Sequence, residues 1–452
     1  MLNLLYVFNI YGLFFYFLGE KMQKTKVNVG LIGFGTIGTG VVKLFQNSSD
    51  LINRKSGINV ELVKICDVDL KKDRGVKVDK RLLTKNVADI IDNPDIDIII
   101  ELIGGYHPAY DFVMKAMANK KHIVTANKAM ISKYWDKLLS ASKKNQVEIM
   151  AEASVGGGIP ILRAIDKGLA ANKIEKIIGI LNGTCNYILT KMFLEKNSFE
   201  DALKEAQNKG FAEADPYLDI SGIDSMHKII VLSNLSFGTI VRENDVYVEG
   251  IDKINSLDIQ YADELGYVMK LLAIASYEKD GLNVRVHPVL VSKNNLIASV
   301  NYEYNAIYVQ GDAVGSTMFY GKGAGQMPTA SAVLSDVIYI ARNIANGKKY
   351  IQNTNKKESI KILPIGKIKS KYYIRFNVVD KAGVLAKISG VLGKNNISIE
   401  SVIQKSRHSH LKVPVVIMTY EAMEENFIKA INKIDLMKNI VKEKTVFYRV
   451  ID

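Results

Sequence analysis

Five side chains that can take part in acid–base chemistry lie close together in residues 210–228, and they are Glu213, Asp215, Asp219, Asp224 and Lys228. Glycines and a proline frame the stretch, which predicts a loop that enters a helix. Asp224 and Lys228 are four residues apart and therefore share one face of that helix. Carboxylates can bind the ammonium group of an amino-acid-like substrate, and a lysine can give a proton to a carbonyl that is being reduced. A surface ion pair is the alternative for Asp224 and Lys228.

A phosphate-binding turn is predicted near the start of the globular part. Residues 27–32 are a β-branched run typical of a strand, and the turn that follows it is Gly33-Phe34-Gly35-Thr36-Ile37-Gly38. Before a helix, the first glycine permits the tight turn, the second lets backbone approach a pyrophosphate, and the third lets the helix pack against the strand. A glycine-rich turn without a ligand is the alternative.

The choice between NAD and NADP stays open. The second predicted strand, residues 59–66, ends at Asp67, where a carboxylate would bind the ribose hydroxyls of NAD. Lys71, Lys72 and Arg74 follow, and they could hold the 2′-phosphate of NADP instead.

Two further predicted strands and a second glycine-rich turn carry candidate cofactor contacts. Residues 95–102 form an apolar strand that leads to Gly104, and residues 122–125 form a strand that leads to Lys128. Ligands bind at the carboxyl ends of strands in open α/β sheets, so both positions are candidates. The turn at residues 321–325 adds Gly323 and Gly325, and a helix is predicted over residues 329–345.

Other reactive residue types are predicted to be structural. Cys185 lies in a polar turn without a histidine or aspartate at a catalytic spacing, which favours a packed thiol. His107 and His122 start a helix and a strand, and His227 points about 100° away from Lys228 around the helix.

Composition excludes several classes of protein. The 452 residues, 48% hydrophobic and 24% charged, are typical of a globular chain of about three domains. Two cysteines cannot build a disulfide framework, which predicts a cytoplasmic protein, and no HxxxH pair indicates a zinc helix. The net charge of +13 comes mostly from lysine without interleaved aromatic residues, so we expect no nucleic-acid partner and a mild attraction for anionic metabolites.

The first 24 residues are set apart as an apolar leader. Residues 1–19 are uncharged and almost wholly apolar, but the basic start and cleavage site of a signal peptide are missing. A membrane anchor is the alternative. We predict instead that the native chain starts at Met22 and has no membrane partner.

The predicted architecture is α/β with several domains. A Rossmann-type nucleotide-binding domain spans residues 25–150, and an α+β substrate and dimerisation domain with a mixed sheet spans residues 151–321. Residues 322–348 form a helix that returns to the nucleotide domain, and residues 349–370 are a linker. Residues 371–452 follow the order βαββαβ, which predicts a separate ferredoxin-like unit.

Taken together, six motifs resemble homoserine dehydrogenase of the monofunctional type with a C-terminal ACT domain. They are GFGTIGTG, VTANK, EASVGGGIP, LNGTCNYIL, GFAEADPYLDISGIDSMHK and GKGAGQMPTAS. The resemblance covers residues 26–452 and implies reversible, NAD(P)H-dependent reduction of L-aspartate 4-semialdehyde to L-homoserine, on the path to threonine, methionine and isoleucine.

The resemblance also implies roles for individual residues. Lys228 is the expected proton donor with Asp224 beside it, Lys128 lies between cofactor and substrate, and Glu213 and Asp219 bind the substrate. A monovalent ion, Na⁺ or K⁺, is expected in the EASVGGGIP motif, where its ligands are Glu152, Val155, Gly157 and Ile159, largely through backbone carbonyls.

ACT domains pair across a dimer and bind small amino acids near the first strand-to-helix turn, so a homodimer or homotetramer is expected. In this chain that turn contains Asp380, Gly383, Val384 and Leu385, and threonine is the expected effector. A purely structural dimerisation module is the alternative.

Two functions from other classes fit these residues less well. An amino-acid-sensing regulator with an inert nucleotide domain would not need Lys228 with all four carboxylates. A semialdehyde dehydrogenase that works by acyl transfer would need an activated cysteine, for which Cys185 has no evident partner.

Overall fold

Apolar stretches of the sequence form two β-sheets in the computed structural model, which describes residues 24–348, 360–404 and 413–452. The chain divides into two units: residues up to Asn127, Asp136–Ala151 and Thr329–Asn353 make the first, and Lys128–Trp135, Glu152–Pro328 and Thr354–Asp452 make the second. The predicted leader with Met22, apart from residue 24, lies outside the described residues, as do residues 349–359 of the predicted linker. In the described part of the chain, no helix is long and apolar enough to cross a membrane.

The first unit is built on a six-stranded parallel sheet. Its strands are β1 (Lys26–Ile32), β2 (Asn59–Cys66), β3 (Leu83–Thr84), β4 (Ile98–Glu101), β5 (His122–Thr125) and β6 (Ile149–Met150). Their order in the sheet is β3-β2-β1-β4-β5-β6, which is the order of Rossmann folds and confirms the predicted fold class. Ile98, Ile99 and Ile100 in the central strand are at most 1% exposed because helices cover both faces of such a sheet.

Five helices connect these strands, and they are α1 (Thr36–Asn47), α2 (Ser49–Ser56), α3 (Ala88–Ile91), α4 (Ala109–Ala118) and α5 (Lys128–Asn145). The helix α4 is shorter than the predicted span of residues 107–120, since Pro108 forms its N-cap and the positive φ of Lys120 is incompatible with a helix. Tyr134 interrupts α5 with non-helical angles, and the residues before that kink belong to the second unit.

The second unit contains an 11-stranded mixed sheet. Its strands are β7 (Ile174–Ile180), β8 (Tyr247–Val248), β9 (Tyr267–Glu278), β10 (Gly281–Ser292), β11 (Tyr304–Gly311), β12 (Gly315–Lys322), β13 (Lys369–Val378), β14 (Ile399–Gln404), β15 (Val413–Thr419), β16 (Ala422–Met423) and β17 (Val446–Ile451). The main path through the sheet runs β12-β11-β7-β9-β10-β17-β13-β15-β14, with β8 paired to β10 and β16 paired to β13.

Nine α-helices follow α5 in the described residues. They are α6 (Ile161–Arg163), α7 (Gly183–Leu194), α8 (Phe199–Asn208), α9 (Tyr217–Ile220), α10 (Ile223–Phe237), α11 (Ser256–Glu264), α12 (Gln326–Ala345), α13 (Val384–Lys394) and α14 (Glu424–Asp435). The helix α12 starts three residues before the predicted position, and its residues from Thr329 onward belong to the first unit.

The C-terminal residues have the predicted βαββαβ order, but their sheet is not separate. Strand β17 pairs in parallel with β10, with Arg449 opposite Val289, so one sheet continues through the whole second unit. Arg375 on β13 also forms a buried, two-point ion pair with Asp258 on α11, at 2.6 and 2.9 Å. The domain boundary predicted at residue 371 stays a prediction, although strong contacts cross it.

Candidate active site

Asp224 and Lys228 form a buried ion pair on one face of α10. Lys228 Nζ lies 2.7 Å from Asp224 Oδ2, and the two side chains are only 9% and 6% exposed. The predicted i,i+4 placement is therefore present, but the pair is not on the surface. Lys228 Nζ also donates a hydrogen bond to the backbone carbonyl of Leu181 at 2.6 Å.

A second lysine reaches the same carboxylate. Lys128, the first residue of α5, places its Nζ 2.7 Å from Asp224 Oδ1. Asp224 thus lies between two ammonium groups, one on each carboxylate oxygen. The structure brings together the three predicted catalytic residues, which we call the lysine–aspartate centre.

Burial and charge set the protonation of this centre. Burial alone would raise the pKa of Asp224, but the charges and hydrogen bonds of Lys228 and Lys128 outweigh it and lower that pKa well below its usual range. Burial lowers the pKa of Lys228; Asp224 opposes this shift and the nearby Lys128 adds to it. The charge of Asp224 instead raises the pKa of Lys128, which is only half-buried. Lys228 is therefore the lysine that gives up its proton more readily.

Asn182 contacts two of the carboxylates and was not among the predicted site residues. Its Oδ1 accepts the N–H of Cys185 at 2.7 Å and caps α7, while its Nδ2 donates to Asp219 Oδ1 at 2.7 Å and to Asp224 Oδ2 at 2.9 Å. The available signal was an asparagine directly before a helix, which predicts an N-cap but not its two distant partners.

Asp219 on α9 joins the centre through this amide. Burial raises the pKa of Asp219, and the hydrogen bond from Asn182 opposes that shift. Cys185 donates its thiol to the backbone carbonyl of Asp219 at 3.2 Å. The side chain of Cys185 is fully buried, and burial raises its pKa well above the ordinary value, so the thiol is packed as predicted and is not an activated nucleophile.

The other two carboxylates of the stretch lie further out. Glu213 is exposed, and its negative charge contributes to the raised pKa of Lys128. Asp215 is also exposed and accepts the N–H of Tyr217 at 3.1 Å, which places it at the start of α9. His227 is buried with its Nε2 3.3 Å from Glu243, consistent with a structural side chain.

The glycine turn of the first unit has the shape that a pyrophosphate requires. Gly33 has φ +100°, and a Cβ there would lie 2.7 Å from the backbone of Leu102. A Cβ on Gly38 would lie 2.2 Å from the carbonyl oxygen of Gly33, whereas Gly35 faces open space at the start of α1. Gly33 thus permits the tight turn, Gly38 permits close packing of the helix, and Gly35 leaves space in front of the helix N-terminus. Thr36 and Ile37 lie in the first turn of that helix.

Asp67 is held by its own neighbours. Its Oδ2 accepts the N–H of Phe34 at 2.6 Å, and its Oδ1 lies 3.2 Å from Arg74 Nη2. The Arg74 guanidinium also lies 4.7 Å from the centroid of the Phe34 ring. Three basic residues follow Asp67 in the sequence. Arg74 pairs directly with the Asp67 carboxylate, while Lys71 and Lys72 donate their backbone N–H groups to Asp69.

The remaining predicted cofactor contacts lie in both units. Gly104, with φ +75°, follows β4 in the first unit, and its N–H donates to Glu101 Oε1 at 3.2 Å. Gly323 and Gly325 belong to the second unit, where a Cβ on Gly157 would lie 2.5 Å from the carbonyl oxygen of Gly323. Gly323 is thus placed directly against the predicted metal-binding loop.

The predicted metal-binding loop offers oxygen ligands only. Gly156 and Gly157 have φ of +71° and +54°, which turns successive carbonyls in different directions. The Glu152 carboxylate accepts backbone N–H groups of Leu162 and Arg163 at 2.8 and 2.9 Å. Burial raises the pKa of Glu152, and these hydrogen bonds oppose the shift. No group of three His, Cys, Asp or Glu side chains in the described residues could hold a metal ion, so Val155 and Ile159 would have to contribute carbonyls.

The predicted regulatory turn begins α13. Gly383 forms its N-cap with φ +84°, Val384 is buried, and Leu385 is 42% exposed. Asp380 lies two residues after the end of β13 and is partly buried.

Three family models match successive parts of the chain. Residues 160–338 match the family model for homoserine dehydrogenase, residues 33–152 match its NAD-binding domain, and residues 372–435 match the ACT domain. Homoserine dehydrogenase of Bacillus subtilis is 40% identical over 425 residues, which cover 94% of this chain and 98% of that protein; the one of Neisseria gonorrhoeae is also 40% identical, over 93% and 98%. The crystal structure of homoserine dehydrogenase from Thiobacillus denitrificans has a TM-score of 0.90 at 40% identity, with 94% and 98% of the chains covered.

Replacing Asn182 with Asp tests whether the side-chain amide is needed between Asp219 and Asp224. The introduced carboxyl faces Asp219 and Asp224, so we expect its folded pKa to lie above the unfolded value of about 3.9. A carboxyl group whose pKa is raised by folding does not destabilise the folded state below its unfolded pKa, where it is protonated in both states. As the pH rises through the folded pKa, the folded state loses stability relative to the unfolded one. We therefore expect the N182D variant to lose about 1–3 kcal/mol of unfolding free energy at pH 8 and much less at pH 4.

Thermal melting at both pH values measures this difference. The matched control is Asn255→Asp, because Asn255 is an exposed N-cap whose Oδ1 accepts the N–H of Leu257 at 2.8 Å, a role that Asp fills equally well. If the melting temperatures of N182D and N255D depend equally on pH, the proposed role of the Asn182 amide is contradicted.

Proposed function

The chain belongs to the homoserine dehydrogenase family, and we propose that it reduces L-aspartate 4-semialdehyde to L-homoserine with NAD(P)H and catalyses the reverse oxidation. The observation that carries this proposal is the buried Asp224 with an ammonium group on each oxygen, Lys228 on one and Lys128 on the other. A carbonyl that accepts a hydride needs a proton donor beside it, and a buried lysine with a lowered pKa is suited to that step in both directions.

The residues of the lysine–aspartate centre divide the work of proton transfer. When bound, the reduced nicotinamide supplies the hydride for the aldehyde carbon. Lys228 has three N–H groups, and Leu181 and Asp224 engage two of them among the described residues, which leaves one for the substrate oxygen. Lys228 gives its proton to the developing alkoxide, and Asp224 stabilises the ammonium form before the transfer.

Carboxylates around the centre account for recognition of an amino acid. The substrate carries an ammonium group, for which Asp219 and Glu213 provide negative charge, and Lys128 provides positive charge close by. The side-chain amide of Asn182 lies between Asp219 and Asp224 and donates one N–H to each carboxylate.

The two functions from other classes are disfavoured by specific contacts. An inert sensor has no use for the buried ion pair of Lys228 and Asp224, which is unfavourable unless function requires it. Acyl transfer requires a reactive thiol, but burial raises the pKa of Cys185 and its hydrogen goes to a backbone carbonyl. Absence of semialdehyde-dependent NAD(P)H oxidation by the purified protein would overturn the proposal.

Both nicotinamide cofactors fit the turn, and we infer that both are used. Asp67 suits the ribose hydroxyls of NAD, whereas Arg74 partly neutralises it and offers a cation for the 2′-phosphate of NADP. The kcat/KM values for NADH and NADPH on the purified enzyme are expected within about 100-fold of each other, which is about 2.7 kcal/mol. A larger ratio in either direction would contradict dual use.

A monovalent cation is proposed for the loop that contains Glu152, Val155, Gly157 and Ile159, since one carboxylate and several carbonyls suit Na⁺ or K⁺. Its removal should lower the melting temperature as well as the activity. Melting curves in sodium, potassium and N-methylglucamine chloride that coincide would contradict this site.

The surroundings proposed for the enzyme follow from composition and from the C-terminal fold. Cys66 and Cys185 are free and buried, in keeping with a cytoplasmic protein. The ACT fold supports a homodimer or homotetramer and regulation by threonine at the turn that contains Asp380, Gly383, Val384 and Leu385. A helix N-terminus such as the one at Gly383 favours the carboxylate of a bound amino acid.

Substitution of Lys228 with Ala tests the proton donor. We expect kcat to fall about 10²–10⁴-fold, because a positioned acid–base group contributes that much, with nucleotide affinity retained. In wild-type enzyme, homoserine oxidation needs neutral Lys228. Because the pKa of Lys228 is lowered, the oxidation rate should rise with pH and reach half its plateau below the ordinary 10.5.

Reduction needs the ammonium form and should fall over the same pH interval. The exposed Lys209 provides a control, since Lys209→Ala should keep both the rate and the pH profile. Turnover close to wild type in K228A would remove Lys228 from the mechanism.

Threonine titration of the full chain tests the regulatory proposal. We expect about 5- to 150-fold weaker substrate binding with threonine, and equally weaker threonine binding with substrate, because coupling is reciprocal. Gly383→Ala strains a residue at φ +84° and should reduce the effect, whereas Gly390→Ala on the same helix meets nothing within 4 Å. Indifference of the full chain to millimolar threonine would refute the proposal.

A further inference from the structure

Residues 247–251 connect two parts of the second unit that the chain leaves far apart in sequence. Their first two residues form β8, which pairs in parallel with β10 so that Tyr247 lies opposite Arg285 and Val248 opposite Val286. The N–H of Glu249 continues this pairing with a 2.8 Å hydrogen bond to the carbonyl of Val286. Segment 247–251 is thereby anchored to the central strand of the sheet.

On one side, segment 247–251 touches the turn that starts α10. The N–H of Ile251 donates to the carbonyl of Ile220 at 2.8 Å. A Cβ on Gly250 would lie 2.3 Å from the same oxygen, so the two backbones are in direct contact. Gly222, the N-cap of α10 with φ +86°, has Val248 Cγ1 3.1 Å from where its Cβ would be. Two residues further on is Asp224, so the position of this turn governs the position of the lysine–aspartate centre.

On the other side, the same segment contacts Arg449 of β17. The Arg449 guanidinium lies 5.0 Å from the centroid of the Tyr247 ring, and its Nη1 lies 3.5 Å from Glu249 Oε2. Tyr247 donates its hydroxyl to the same Glu249 oxygen at 3.0 Å. Arg449 also pairs with Glu424, whose Oε2 accepts Nε at 2.9 Å and the hydroxyl of Tyr372 at 2.7 Å.

We propose that Glu249 is a positioning residue for the lysine–aspartate centre, and that it acts by fixing segment 247–251 to Arg449 of the C-terminal domain. Glu249 is 36% exposed whereas Arg449 is 4% exposed, so Glu249 is not needed to compensate a buried charge. Glu424 already does that, being 2% exposed and paired with the same guanidinium. Removing the Glu249 side chain therefore breaks the contact of the segment with Arg449, keeps its backbone pairing with β10 and leaves no buried cation unpaired, so the effect should be on position rather than on folding.

Three variants of the full chain separate these effects, and they are Glu249→Ala, Glu249→Gln and, as a control, Asp252→Asn. Asp252 is an exposed carboxylate three residues further along. For E249A we expect kcat/KM for aspartate 4-semialdehyde to fall about 5- to 20-fold, with a melting temperature within about 2 °C of wild type. E249Q still accepts from Tyr247 and Arg449 and should recover to within about twofold of wild type.

Amide hydrogen exchange gives a readout that does not depend on turnover. In E249A, exchange should rise in peptides that cover residues 219–224 and 247–251 and stay unchanged in β13. The proposal is overturned if E249A matches D252N in both kcat/KM and exchange, or if exchange rises throughout the second unit together with a lower melting temperature.

This inference rests on the proposed function only for the choice of substrate. Wild-type enzyme that does not oxidise NADPH with the semialdehyde would defeat the proposed function, while the exchange measurement would still decide whether Glu249 positions the turn.

Discussion

Burial of one carboxylate is the constraint on which the second unit depends. Asp224 is 6% exposed, and a charge removed from water to that degree is stable only when cations and hydrogen-bond donors surround it. Lys228 arrives from the same helix, Lys128 from the start of another, and the Asn182 amide from the residue before α7. Three separate segments must therefore meet at one carboxylate before the charge is compensated, which makes the geometry of the centre a condition of the fold. The same ion pairs that stabilise the centre also shift the pKa values of Lys228 and Lys128.

A similar buried pair, Asp258 with Arg375, joins the C-terminal domain to the rest of the unit, and a second pair, Glu424 with Arg449, lies within that domain. Asp258 is fully buried and accepts two hydrogen bonds from Arg375 and one from Tyr373. Glu424 accepts in the same way from Arg449. Breaking either pair would leave a buried charge without compensation, so these contacts help to specify which helix packs on which strand. The Tyr372 ring, whose hydroxyl donates to Glu424, also stacks on Phe427.

Local features of the site were predictable from the sequence, and distant ones were not. The four-residue spacing placed Asp224 and Lys228 on one face, and the spacing of Gly33, Gly35 and Gly38 defined the phosphate turn, because both depend on a few bonds of backbone. The partnership of Lys128 with Asp224 spans almost a hundred residues and has no local signal. Asn182 shows the same limit, since its cap is local whereas its contacts with Asp219 and Asp224 need the tertiary fold. The end of the predicted linker likewise turned out to be paired, as Leu282 donates to the carbonyl of Lys361 at 2.9 Å.

The parallel pairing of β10 with β17 also bears on how this chain can be dissected. Shortening it before the C-terminal domain would uncover the edge of β10 at Val289, Leu290 and Val291, which are all buried. An exposed apolar edge recruits other strands, and aggregation is the usual outcome. A shortened protein that is insensitive to amino acids could therefore be insensitive because it has associated or misfolded. In this chain the ACT domain is a structural member of the same sheet as β7, β9 and β10, so its removal changes the sheet as well as any ligand site of its own.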